Sequence, residues 1–452
     1  MQLRHLKSSS VVVEEGDTRV LCDPWLVDGA FYGSWAHYPP LSFEPEDYAD
    51  VDYIYVSHIH PDHCHPETLQ RLDTDTPVIV HDYQWDFLAD NLRRWGFDVI
   101  ELPHDERMHL GDDLHLNVLA SDDCDPEVCG KYFGCGWFMD DVTGGTEGST
   151  QIDSMGVFDD GEHVLVNAND CRWPMTAAAS QRVLDRYGEV DMLLMQYGAA
   201  NFYPQCMLDY SHEERLEAAE EVAVEMCQDA ESFVQVFEPD YYMPFAGSYT
   251  LAGPLSDLNQ YVGVMRRAEA KEYFEASENV PEDSTCILLN SEEAFDLETG
   301  TQSAPYTPVD PERKQAYIDE ELADRSFDYH DDEMPSLAEL QELLPVAYEH
   351  MEEKRRGIGF ESDTTVLLDL VEDTTAALSL QGDGIEYRSR DEAADGEEYV
   401  RMRIDPRLLH RILQGPAHAH YNNAQIGSHV HFAKEPDIYE RPVYYCMNYF
   451  HA

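Results

Sequence analysis

Val51-Asp52-Tyr53-Ile54-Tyr55-Val56 runs directly into Ser57-His58-Ile59-His60-Pro61-Asp62-His63. The first run is β-branched and aromatic and reads as a buried strand. The second places three histidines and an aspartate within positions 58–63. Histidines at i and i+2 on extended backbone point to the same side. Imidazole and carboxylate bind first-row metals, and a loop past a strand end lets several converge on one ion. A lone aspartate carries no weight in a chain this acidic. The four residues together predict a metal centre at the C-terminal end of a strand.

Working outward, two short strands are expected within 10–26, around the turn Glu15-Gly16-Asp17 and closing in Leu21-Cys22-Asp23-Pro24-Trp25. Met1 to Ser10 is polar and suggests no secretory leader. A helix should start near Pro66 or Glu67. Strands then follow at 77–80, 99–100, 114–119, 154–158, 164–167, 192–196, 241–244 and 286–289. Helices are expected at 84–95, 175–187 and 211–236. Alternation of short strands and helices predicts an α/β layered fold over 1–305. An acidic linker and helix should occupy 306–357, where Lys354-Arg355-Arg356-Gly357 supplies basic residues and a glycine stop. Strand-like runs and a helix at 406–413 predict a small C-terminal α+β domain over 358–452.

His-x-His-x-Asp-His after a strand resembles the signature of the metallo-β-lactamase superfamily. Asp23-Pro24-Trp25-Leu26, Tyr53 to His63, Pro66-Glu67-Thr68-Leu69, Asn167-Ala168-Asn169-Asp170-Cys171-Arg172 and Pro244-Phe245-Ala246-Gly247 follow one another in order. Together they resemble the metallo-β-lactamase-like part of the CMP-N-acetylneuraminate hydroxylases and, more broadly, the ascorbate-6-phosphate lactonase type. The resemblance implies an αββα sandwich with the site at one edge of the two sheets. It gives His58 and His60 to a first metal, Asp62 and His63 to a second, and makes Asp170 the bridging carboxylate. It implies a divalent metal, zinc first, with iron or manganese as alternatives. Asp170 also fits on its own terms, since it sits just past the strand expected at 164–167.

Two departures stand out. The mid-domain histidine of the superfamily has no counterpart in Ser121-Asp122-Asp123-Cys124-Asp125; a carboxylate or Cys124 could replace it, and Asp123 is the expected replacement. A late histidine is missing as well, where Pro244-Phe245-Ala246-Gly247-Ser248 stands. Rieske chemistry needs two paired Cys-His motifs, and the chain has none. Oxygenation would therefore draw electrons from a separate electron-transfer protein.

Other groups carry weaker readings. Tyr197, Asn201 and Tyr203 follow the strand at 192–196 and are the candidate substrate-binding residues, on the resemblance that puts them at the mouth. Cys124, Cys129 and Cys135 read as buried thiols around a tight loop. His418, His420, His429 and His431 read as lining a domain interface or strand face, with capping of the metal site as the alternative.

Composition excludes whole classes of function. The chain has 29 Lys+Arg against 91 Asp+Glu, a net charge of −62. Phosphate backbones and anionic membrane surfaces would repel it. Hydrophobic residues at 43% nevertheless supply folded cores. Spread over the chain, such charge suits a cytoplasm of molar salt, where the Debye length shrinks to about 3 Å; a halophilic source is the expectation. No apolar run approaches a membrane span. The ten cysteines include no CxxC pair and read as mostly free thiols.

The expected activity is metal-dependent hydrolysis of a small polar substrate, for which the resemblance implies a sugar- or nucleotide-linked type, with Asp62 orienting a water or acting as general base. An iron oxygenase component is the alternative, and a non-catalytic metal-binding module the third. Homo-oligomerisation is left open.

Overall fold

The computed structural model describes residues 1–83, 86–121, 153–173, 175–391 and 398–452. Two sheets form its centre. The first orders Thr301–Gln302, Ala294–Asp296, Gln2–Lys7, Ser10–Glu15, Thr18–Cys22, Tyr53–Tyr55, Val78–His81 and Val99–Leu102. The second orders Thr285–Cys286, Tyr241–Pro244, Met192–Met195, Val164–Asn167, Ser154–Asp159, Leu114–Ala120 and Glu106–Gly111.

Side-chain alternation builds the layers. Val11 and Val13 face inward with Val20, Tyr55, Leu116, Phe158, Leu165 and Met192. Val12 faces outward with Leu21, Ile54 and Val78, under Leu88 and Leu92 of the helix Phe87–Arg94. On the second sheet Val157, Val166 and Leu193 meet Val183, Phe233 and Phe274 of the helices Ala177–Tyr187, His212–Phe237 and Arg267–Ala276. The result is the αββα sandwich. At Gly156 a Cβ would lie 2.8 Å from the Tyr55 ring, so only glycine lets the sheets close there.

Gln2–Lys7 is an interior strand of the first sheet, with Leu3, His5, Leu6 and Lys7 buried, Arg4 half-buried and Gln2 exposed. The helix at Pro66 is a single turn, Pro66–Leu69.

A third sheet orders Ile385–Ser389, Thr374–Ser379, Thr365–Asp369, Tyr399–Arg403 and His431–Glu435. The helix Leu337–Gly357 packs on it, with Leu340, Leu344 and Met351 against Val366, Leu368 and Leu378. This core is continuous with Trp25, Phe31, Trp35, Phe202 and Tyr249 of the sandwich. Main-chain bonds stitch the seam: Phe432 N–H donates to Cys206 O at 2.9 Å, and Leu208 N–H to Phe432 O at 2.6 Å. The described cysteines are buried. Among the described residues, no helix is long and apolar enough to cross a membrane.

Candidate metal centre

Thr18–Cys22 and Tyr53–Tyr55 are parallel neighbours, so the residues after each leave the sheet at the same edge. Asp23, fully buried at φ 46°, follows the first; the histidine loop follows the second. The Asp23 carboxylate accepts from Ser57 N–H at 2.7 Å, Ser57 Oγ at 2.8 Å and His63 Nδ1 at 3.0 Å. These bonds fix two rings. His63 donates through Nδ1, which leaves Nε2 facing Asp170 Oδ1 at 3.2 Å and Asp62 Oδ2 at 3.6 Å. Ser57 Oγ, its proton committed to Asp23, accepts from His58 Nδ1 at 3.0 Å. His58 Nε2 then faces His60 Nδ1 at 3.0 Å, Asp153 Oδ1 at 3.8 Å and Asp170 Oδ2 at 4.0 Å. Ser9 Oγ holds the loop from below through Asp62 O at 3.0 Å.

Asp170 arrives from the second sheet, just past Val164–Asn167. Asn169 before it is buried at φ 34°, a left-handed conformation that costs energy outside glycine. Its side chain is fixed at both ends, donating to Ser154 O at 2.7 Å and accepting from Asp170 N–H at 2.7 Å. Ser154 Oγ in turn donates to Ser57 O at 2.8 Å, which binds the two sheet edges together at the site.

Two groups of potential ligand atoms emerge, His58/His60/Asp153 and His58/His63/Asp170, with the atoms of each group within 4.8 Å of one another. Nitrogens about 2.0–2.1 Å from one tetrahedral ion lie about 3.3 Å apart, so the spacing fits shared ligation. Electrostatics agree. Burial, reinforced by neighbouring imidazoles, pushes His58 well below the usual histidine range. His60 is lowered too, chiefly by burial. Both rings are neutral, as ligands must be. Burial raises the Asp62 carboxyl to about 7, with the charge of Asp170 adding and that of His63 opposing. Burial also opposes charging His63, but Asp170, Asp62 and Asp23 outweigh it and raise that imidazole well above its usual range. Carboxylates thus surround a protonated ring where the donor set calls for a cation.

Of the expected site residues, His58, His60, Asp62, His63 and Asp170 converge. Asp123 lies outside the described residues, as do Cys124, Cys129 and Cys135. Tyr197 is buried among the side chains between the second sheet and its helices. Asn201 Oδ1 accepts from Tyr203 N–H at 2.9 Å and shapes its own turn, and Tyr203 packs edge-on against Tyr210. His429 sits at the seam, with Nδ1 on Tyr329 OH at 3.0 Å and Nε2 on Phe31 O at 2.8 Å. His431 opens an edge strand of the third sheet, and His418 is exposed. Two contributors escaped sequence reasoning. Asp153 immediately precedes Ser154–Asp159, and Asn422 of the helix Tyr421–Ile426 accepts from His60 Nε2 at 3.0 Å.

A two-sheet sandwich with a His-x-His-x-Asp-His loop at one edge is the build of a metallo-β-lactamase fold. Residues 2–137 match the family model described as beta-lactamase superfamily domain. Among solved structures, it is similar to isothiocyanate hydrolase from Delia radicum gut bacteria, at 14% identity and TM-score 0.44, over 66% of this chain and 99% of that one. It is similar to the metallo hydrolase Igni18 from Ignicoccus hospitalis at 14% identity and TM-score 0.41, over 65% and 98% of the two chains. It is also similar to CmlA, a diiron beta-hydroxylase from Streptomyces venezuelae, at 17% identity and TM-score 0.36, over 59% and 48%. No curated protein sequence matches the chain.

Proposed function

We propose that this protein is a metal-dependent hydrolase acting on a small polar substrate, of sugar- or nucleotide-linked type by sequence resemblance. The observation that carries the reading is the pair of ligand groups sharing His58, with all atoms of each group within 4.8 Å. His58, His60 and Asp153 would hold one ion, and His63, Asp62 and Asp170 a second, Asp170 lying between them. A bound divalent metal supplies a water acidified to near neutrality and polarises a carbonyl or phosphoryl oxygen. The chain's own part is positioning and proton transfer. Asp23 and Ser57 aim two imidazoles. Asp62, 3.6 Å from His63, would orient that water or act as general base if it is not itself a ligand. Zinc is the first candidate. The net charge of −62 suits a salt-rich cytoplasm, and a soluble small-molecule enzyme fits that setting.

A second reading has its own observation. The donor set offers three carboxylates, Asp62, Asp153 and Asp170, beside three imidazoles. Histidine with carboxylate also suits non-haem iron, with manganese as a further candidate. An oxygenase component of this kind would need an electron-transfer partner.

Elemental analysis of protein purified in molar salt without added metal decides between them. About two zinc per chain, lost in His58→Ala/His60→Ala, supports hydrolysis. Iron turns the reading to oxygenation, and metal-free wild-type protein defeats both.

A further inference from the structure

The C-terminal domain reaches the centre through one side chain. The helix Tyr421–Ile426 is clamped to the loop that follows the buried Asp23-Pro24-Trp25 segment. Tyr32 OH accepts from His420 N–H at 2.7 Å and lies 3.3 Å from His420 O. At the other end His429 Nε2 donates to Phe31 O, and Gly427 lies so close that a Cβ there would meet Phe31 Cβ at 2.7 Å. Between these clamps Asn422 Oδ1 lies 3.0 Å from His60 Nε2.

A neutral imidazole carries one proton. If Nε2 donates to Asn422, Nδ1 is bare, and Nδ1 is the nitrogen that faces His58. Ring orientation and ligand tautomer in metal sites are set in just this way, by the acceptor on the outer nitrogen. His58 and His63 take their outer acceptors, Ser57 and Asp23, from the sandwich itself. His60 has Asn422, some 360 residues on.

We infer that Asn422 is a positioning residue of the metal centre: its carboxamide oxygen holds His60 in the Nε2–H tautomer and turns Nδ1 to the ion, so that the C-terminal domain completes the first metal site. This rests on the metal-centre reading for its second half but not for its first.

Two readouts separate them. In metal-free, ¹⁵N-histidine-labelled protein, two-bond nitrogen–proton spectra report the His60 tautomer directly. Wild type should show Nε2–H. Asn422→Leu, which cannot accept, should show a mixture. Cobalt(II) affinity, measured by competition with a chelator, should fall about 10- to 100-fold in Asn422→Leu and Asn422→Ala, the size expected for loss of an outer partner. Asn422→Asp, which can only accept, should recover the tautomer and most of the affinity. Thermal unfolding of the metal-free variants controls for folding. An unchanged tautomer and unchanged cobalt affinity in Asn422→Leu would overturn the inference. So would Asn422→Asp behaving as badly as Asn422→Leu. Wild-type protein that shows the Nε2–H tautomer yet takes up no cobalt would sink the metal reading, and with it Asn422's role at the ion.

Discussion

His58 and His429 are both buried imidazoles, each followed two residues later by another histidine, yet their ring nitrogens meet opposite surroundings. His429 is satisfied by the protein: Nε2 donates to Phe31 O and Nδ1 accepts from Tyr329 OH. His58 has one nitrogen satisfied by Ser57, while the other faces a second bare imidazole nitrogen and two carboxylates. The same His-x-His spacing therefore serves a strut in one place and, on the function proposed above, a ligand set in the other. What distinguishes them is whether protein groups saturate the rings.

Removing each histidine pair in turn separates the two roles. His58→Ala/His60→Ala should abolish metal retention, a loss beyond the ~100-fold that follows removal of an outer partner. Its metal-free stability should change little. His429→Ala/His431→Ala should retain metal, with affinity falling no further than loss of Asn422 would take it, and should lose about 2–4 kcal/mol of stability, because Tyr329 OH and Phe31 O are left buried and unpaired. Elemental analysis and denaturant unfolding read the two effects independently. Metal loss from the second variant would mean the C-terminal pair contributes to the centre after all.

Asp23 tests how the ligand set is held. It accepts three hydrogen bonds and touches no ligand atom that faces the site. Asp23→Ala should cost about 3 kcal/mol, since buried donors lose their charged acceptor. It should also weaken metal binding roughly 10-fold or more by freeing the His63 ring. Asp23→Asn, which keeps the shape and one acceptor oxygen, should fall between. Thermal unfolding and a metal titration of the same samples check both numbers.

The sandwich was legible because its strands are short, β-branched and punctuated by turns, and because the histidine loop follows one of them directly. Asp170 was legible for the same reason. Asp153 was not, and topology explains why. Ser154–Asp159 runs antiparallel to Val164–Asn167, with Gly156 opposite Asn167, so its first residue lies at the edge where its neighbour ends. A search confined to residues past strand ends passes over the residue before a strand. Asn422 was hidden by distance: nothing in Tyr421-Asn422-Asn423 marks it, and only packing of the third sheet's domain brings it to His60. The aromatic loop misled in the opposite sense, since Tyr197 is drawn into the core by the helices that cover it.

The smallest expected effect is also the one in which the two regions oppose each other. Burial lowers His429 and His431 to about 4. For such groups the unfolded chain binds more protons between pH 6.5 and 4, so their stabilising contribution is present above 6.5 and is lost as pH falls through that window. Asp62, raised to about 7, behaves in the other direction. Its folded carboxyl holds a proton that the unfolded one has released, so its contribution is complete below about 3.9 and is lost as pH rises toward 7. His63, raised above its usual range, extends that loss above 6.5. Each group alters the slope by at most about 1.4 kcal/mol per pH unit. Unfolding should be followed in molar salt, which screens the many surface carboxylates and leaves the buried groups dominant. Metal-free wild type should then lose stability on both sides of neutrality. His429→Phe should flatten the acid limb, whereas Asp62→Asn should steepen it between about 4 and 7, by removing the opposing slope, and shorten the alkaline limb that His63 carries. Bound metal should also remove the alkaline loss, because a cation takes over the charge that His63 otherwise carries. An alkaline limb that survives both Asp62→Asn and metal loading would show that the carboxylates around His63 are not the groups in tension there.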